Sequence, residues 1–248
     1  MGNAIHPTDR ACDEILEAFE HRYRQKKTTN ICVSGLIAIL GITSFLYGIR
    51  LESISTIFRW MTVDGTVFTT LGAMAFIAIN IVEIWKSTEM TRKTVYYIRL
   101  SSAVAESVIL IVVLFSQLPI FPEHLPMFDR YDSFVMHILV PILGTASFLA
   151  NDSPIGKLSA MERWHGTWFV SFYAVIVLSL IATGALPTDM IPYFFLDFRH
   201  YAWATAIAFA FIYGCAYLMG WYLSEMNRKL SWLWFKGVAQ KRHEREER

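Results

Sequence analysis

Six stretches of the chain run almost without charge, and clusters of polar residues separate them. They cover Ile31 to Ile49, Phe58 to Trp85, Ile98 to Leu118, Ser133 to Ala150, His165 to Leu186 and Tyr201 to Leu223. Each is close to the ~20 residues that an α-helix needs to cross a bilayer. A membrane β-barrel would instead show short segments of alternating polarity. The pattern predicts an all-α polytopic membrane protein, a bundle of six transmembrane helices spanning 31–223. Residues 1–30 form a polar N-terminal segment in which Cys12, Ile15, Leu16, Phe19 and Tyr23 recur at helical spacing. That recurrence predicts an amphipathic helix lying on the membrane or packed on the bundle, with a solvated helix as the plainer alternative. Residues 224–248 form a tail, with Trp232, Leu233, Trp234 and Phe235 as an interfacial anchor before the charged end.

Composition agrees: 54% of residues are hydrophobic and only 17% are charged, against roughly a quarter charged in soluble domains. The formal charge of +1 gives no reason to expect a nucleic-acid partner, because the charges sit in the ends and loops. The distribution of charge carries more. If the termini and the loops 86–99 and 151–164 share one side, that side holds 18 of the 22 Lys and Arg residues. Arg50, Arg59, Arg130 and Arg199 remain for the other. The positive-inside bias then predicts that both termini are cytoplasmic. Three widely spaced cysteines supply no disulfide framework. Gly2 stands without the Ser or Thr at position 6 that a myristoylation signal uses, since His6 is there.

Candidate chemistry lies in the polar residues inside the spans. His137 sits in the first turns of the fourth span, and Pro141 follows four residues later. Proline has no N–H, so the carbonyl of His137 loses its helical donor and the helix is expected to bend or unwind there. An ionisable residue within a span is a functional candidate by default, though it also serves as a bond to a neighbouring helix. Thr62, Thr66 and Thr69 stand at i, i+4 and i+7 on one face of the second span. Counting 1.5 Å per residue from the outer ends puts Thr62 about 5 Å deep and His137 about 6 Å deep. Asp64 shares that depth but faces about 200° away from Thr62. Threonines between membrane helices are often only packing glue.

The segments FRWMTVDGTVF and MHILVPIL, with PYFFLDFRHYAW before the sixth span, resemble the signatures of one six-span family. It is the family of androgen-induced and androgen-dependent membrane proteins and the related bacterial six-transmembrane proteins. The resemblance runs from about the second span to the sixth. Animal members are threonine hydrolases that cleave fatty acid esters of hydroxy fatty acids. By that resemblance Thr62 matches the nucleophile and His137 its partner, and the substrate is a lipid ester within the bilayer.

The residue types suit that chemistry. A neutral histidine can take the proton of a threonine hydroxyl and return it to the leaving alcohol. A carboxylate or carbonyl is expected on the other ring nitrogen, and Asp64, Asp132 and Asp197 are the candidate carboxylates. Tyr193, His200 and Trp203 are candidate oxyanion donors, and Thr66 is a further candidate for the pocket. Asn80 and Glu83 are expected at the level of Glu106 and Ser107, as a second cluster of structural hydrogen bonds. No histidine pair has metal-ligand spacing and no glycine loop cradles phosphate, so neither metal nor cofactor is expected. Two other functions fit the same composition: a small-solute or ion transporter or channel marked by Asn80, Glu106 and His137, and a non-catalytic lipid-binding protein.

Overall fold

The structure is a computed structural model that describes residues 7–52, 57–86, 93–117, 122–191 and 193–246. Within these, the side chains of 7–22, 116–117, 122–124, 127, 194 and 234–246 lie outside the described part. The proposed amphipathic stripe before Tyr23 and the aromatic pair Trp234 and Phe235 therefore fall outside it. Among the described residues the fold is all-helical, and six helices are long and apolar enough to cross a membrane. The chain is an integral multi-pass membrane protein.

Helix α1 spans Pro7–Leu51 without interruption, so the N-terminal segment and the first span are one rod. Helix α2 is Met61–Lys86 and α3 is Lys93–Val112, continued by a π-helical turn at Val113–Gln117. A 3-10 segment, Pro122–Asp129, leads into α4, Tyr131–Asn151. Helix α5 is Ala160–Ala182, opened by a capping box in which Ser159 and Glu162 satisfy each other's backbone N–H. Helix α6, Phe198–Glu246, has one non-helical residue near its start, Tyr201.

Helix α3 is the centre of the bundle, with 67% of its most apolar window buried against 11% for α6. Its sequence explains the position. Ser101, Ser102, Ala103, Ala105 and Ser107 are small and buried, and small residues let helices approach closely where lipid removes the hydrophobic drive to associate. Two glycines mark other close crossings. A Cβ on Gly41 would run into the Thr70 hydroxyl, so the backbone of α1 lies directly against that side chain of α2. A Cβ on Gly166 would stand 3.3 Å from the Gly220 Cα, which is the same device between α5 and α6. Large apolar side chains such as Ile39, Leu71, Phe172, Trp203 and Phe211 face outward, as expected of a surface covered by lipid.

The interior is polar along much of its length. On α2 the buried stripe reads Thr62, Thr66, Thr69, Ala73, Phe76, Asn80 and Glu83. Its far end from Thr62 is tied by ion pairs. Lys27 bonds Glu83, and Arg99 bonds Asp152 at 3.1 Å while also reaching Ser147. Asn227 donates to the carbonyls of Phe148, Leu149 and Asp152. These bonds join α1 to α2, α3 to the end of α4, and α6 to α4.

The expected second cluster is different in the structure. Glu83 pairs with Lys27, Asn80 donates to the carbonyl of Phe76, and Ser107 meets Thr145 at 3.0 Å. Glu106 lies by Thr69 and Gly144 instead, nearer the Thr62 end than expected. The reason is the start of α3. It begins at Lys93 rather than Ile98, because Arg99, charged and inside the helix, is neutralised by Asp152.

Candidate active site

At the end of the bundle where α2 and α4 begin, a cavity of about 290 Å³ opens between the helices. Thr62, His137, Ser133, Asp132 and Tyr193 share its wall with Trp60, Met136, Arg130 and Glu52. The two residues expected to act together thus face one space, from helices that enter at the same level. Thr62 is buried in the first turn of α2. That helix starts where the short turn Ile57–Trp60 closes, with Trp60 N–H bonded to the Ile57 carbonyl.

His137 sits in a π-helical turn, Val135–Leu139, immediately before Pro141. The Val140 N–H reaches back five residues, to the Val135 carbonyl. The expected departure from a regular helix is present, as a widened turn. A proline has no N–H to continue the regular ladder, and π turns of this kind recur at functional sites. The imidazole is fixed from two directions. Its Nδ1 lies 2.8 Å from the Ser133 carbonyl, with the Ser133 hydroxyl at 3.3 Å. The Phe128 ring packs against it edge-on at 5.9 Å. A carbonyl only accepts, so Nδ1 carries the hydrogen and Nε2 keeps its lone pair. The orienting group is therefore the carbonyl of Ser133, one turn back on the same helix.

The candidate carboxylates are engaged elsewhere. Asp132 lines the cavity, but both its oxygens accept from Arg130, at 3.2 and 2.8 Å. Asp64 is off the cavity wall and lies near the phenols of Tyr173 and Tyr193. Asp197 bonds His200 at 2.6 Å and Arg199 at 3.1 Å, and its backbone carbonyl accepts from the N–H groups of His200 and Tyr201. These contacts make Asp197 and His200 the entry to α6, away from the residues that line the cavity. Thr66 lies one turn beyond Thr62, fully buried and off the wall, with no partner for its hydroxyl. Trp203 is 71% exposed and also off the wall.

Among the described residues of the long loop before α6, Tyr193 is the one that reaches the cavity. Its phenol stands beside Thr62 on the cavity wall. Its ring is held by Trp60, edge-on at 5.9 Å, and by Phe195, stacked at 5.4 Å. Burial pushes the phenol up to about 12, so it keeps its hydrogen at physiological pH and acts as a donor rather than a base. Sequence reasoning missed the Ser133 carbonyl, Trp60, Met136, Arg130 and Glu52. Ser133 had a readable signal, since a residue four before a histidine presents its carbonyl to that side chain.

Comparison of the chain with protein-family models, with curated proteins and with solved structures returns no match.

Proposed function

We propose that the protein is an intramembrane lipid esterase with Thr62 as nucleophile and His137 as general base. The observation that carries this is the cavity that Thr62 and His137 line together, with His137 Nδ1 held by the Ser133 carbonyl so that Nε2 keeps its lone pair. In the proposed reaction Nε2 takes the hydroxyl proton of Thr62 as Oγ1 attacks the ester carbonyl carbon. The Tyr193 hydroxyl donates to the oxyanion that forms. Imidazolium then protonates the leaving alcohol, and an acyl-threonine remains. Water, deprotonated by the same nitrogen, releases the fatty acid and restores the hydroxyl.

The wall suits such a substrate. Ile57, Val63, Trp60 and Met136 offer apolar surface, and Glu52, Arg130 and Asp132 make a polar side. About 290 Å³ is at the lower end of ligand pockets, about 300–1,000 Å³. It holds an ester group and the adjoining methylenes, leaving the remaining acyl chain to lie between helices and lipid. We also propose that the chain belongs with the androgen-induced and androgen-dependent six-span proteins. Fatty acid esters of hydroxy fatty acids are then the first substrates to test. By the distribution of Lys and Arg, the cavity opens to the outer side and both termini are cytoplasmic.

The test is ester hydrolysis by the purified protein. Thr62→Ala and His137→Ala should each lose at least about 10³-fold in kcat, and the double variant little more, because nucleophile and base act as a unit. Thr62→Ser should retain turnover. Hydrolysis by Thr62→Ala at the parent rate would leave the threonine as packing and end this reading.

A further inference from the structure

Among the described residues, three buried carboxylates lie near the middle and far end of the bundle, and two have cationic partners. Glu83 is bonded to Lys27 and Asp152 to Arg99. Glu106 is the third. Its side chain is fully buried in α3, and neither carboxylate oxygen has a hydrogen-bond partner.

Its surroundings are hydroxyls and small residues. From α2 it is faced by Thr69, whose hydroxyl lies 2.8 Å from that of Ser102, one turn before Glu106 on its own helix. From α4 it is faced by Gly144, where an added Cβ would meet the Glu106 Cγ and the Thr69 Cγ2 at 3.5 Å each. No charged group among the described residues acts on it, and Arg99 on the same helix is committed to Asp152. An isolated carboxylate in such a place is too costly to stand alone. The buried carboxylate calls for one positive charge to balance it. A divalent ion would want more carboxylates and carbonyls than one glutamate with hydroxyls provides.

We propose that Glu106 is the binding site for one monovalent cation, a proton or a sodium ion, held in the middle of the bundle with the hydroxyls of Thr69 and Ser102. Access runs from the candidate active site. Thr62 lines the cavity, and Thr66 and Thr69 follow on the same buried stripe at about 6 and 10 Å beyond it. Thr66 has a buried hydroxyl with no partner, which makes it a free relay position between the cavity and the carboxylate. The site does not depend on ester hydrolysis and stands whether or not Thr62 is a nucleophile.

Thermal unfolding of the purified full-length protein in lipid nanodiscs tests it. The midpoint is measured against sodium chloride at fixed pH, with choline chloride keeping ionic strength constant, and then against pH without sodium. A ligand of the native state raises the midpoint as its concentration rises. A rise with sodium identifies sodium as the occupant, and a rise with proton concentration alone identifies the proton. In either case the dependence is lost in Glu106→Gln, which keeps the shape and removes the charge. Thr69→Val leaves the carboxylate in place and should shift the dependence to higher cation concentration. A parent protein indifferent to both cations, or an unchanged dependence in Glu106→Gln or Thr69→Val, would overturn the proposal.

Discussion

His137, the proposed base, is held by a backbone carbonyl rather than by a side-chain carboxylate, and this changes which substitutions matter. The Ser133 carbonyl holds His137 Nδ1 at 2.8 Å, whereas the Ser133 hydroxyl stands farther off at 3.3 Å. Ser133→Ala keeps the carbonyl, so hydrolysis should fall by less than about tenfold, the worth of one modest hydrogen bond. Tyr193→Phe removes the donor beside Thr62, and kcat should drop by about 10²–10³. Steady-state kinetics of the two variants give the contrast directly. Equal losses would mean that the serine side chain does more than its geometry implies. That Thr62 and His137 share a level was readable from depth, because both stand about one turn inside spans that start on the same side, whereas pairing them took the resemblance. The roles of Asp132 and Asp197 were not readable. Each is next to an arginine two residues away in sequence, and only the fold shows that these arginines turn back on them.

At the scale of the element, the start of α3 and the π turn of α4 teach opposite lessons. Lys93 and Arg99 look like loop residues because charge normally ends a span, yet Arg99 is buried inside the helix by pairing with Asp152 from the end of α4. That partner is 53 residues away, so no local pattern reveals it, and the depth of Glu106 was misjudged as a result. The widening at Val135–Leu139 was legible in outline, since Pro141 has no N–H to give. Pro141→Ala supplies that N–H and allows a regular turn, which would rotate residue 137 by about 100° relative to the residues after it. Hydrolysis should fall while thermal stability holds or rises, and unchanged hydrolysis would free the proline from any positioning role. The entry to α6 behaves differently, because it is held by charge. The hydrogen bond from His200, with that from Arg199, keeps the Asp197 carboxyl below its usual range. A carboxyl lowered on folding adds stability above its unfolded pKa and loses it as pH falls through the folded value. Amide protection across 193–201, corrected for the intrinsic exchange rate, should therefore fall on acidification below the ordinary carboxylate range, and Asp197→Asn should remove that dependence.

For the whole molecule, the six spans were legible because the bilayer demands long apolar runs, while the polar interior was not, because in lipid the helices are held by packing and polar bonds that any neighbour can supply. The ends of the bundle differ in kind. One carries the cavity, with Glu52, Arg130 and Asp132 at its wall. The other carries the buried pairs Lys27–Glu83 and Arg99–Asp152 and most of the basic residues. If the cavity end faces outward, water for hydrolysis enters from that side and a lipid ester reaches Thr62 from the outer leaflet. The bias of 18 basic residues against 4 is large for loops this short and sets the expected orientation. Single cysteines in an otherwise cysteine-free protein, labelled on intact cells by an impermeant maleimide, read it out. A cysteine at Glu123 should be labelled, and one at Thr91 should react only after the membrane is opened. The reverse pattern would turn the molecule over, put the cavity on the cytoplasmic side, and require the substrate to come from the inner leaflet.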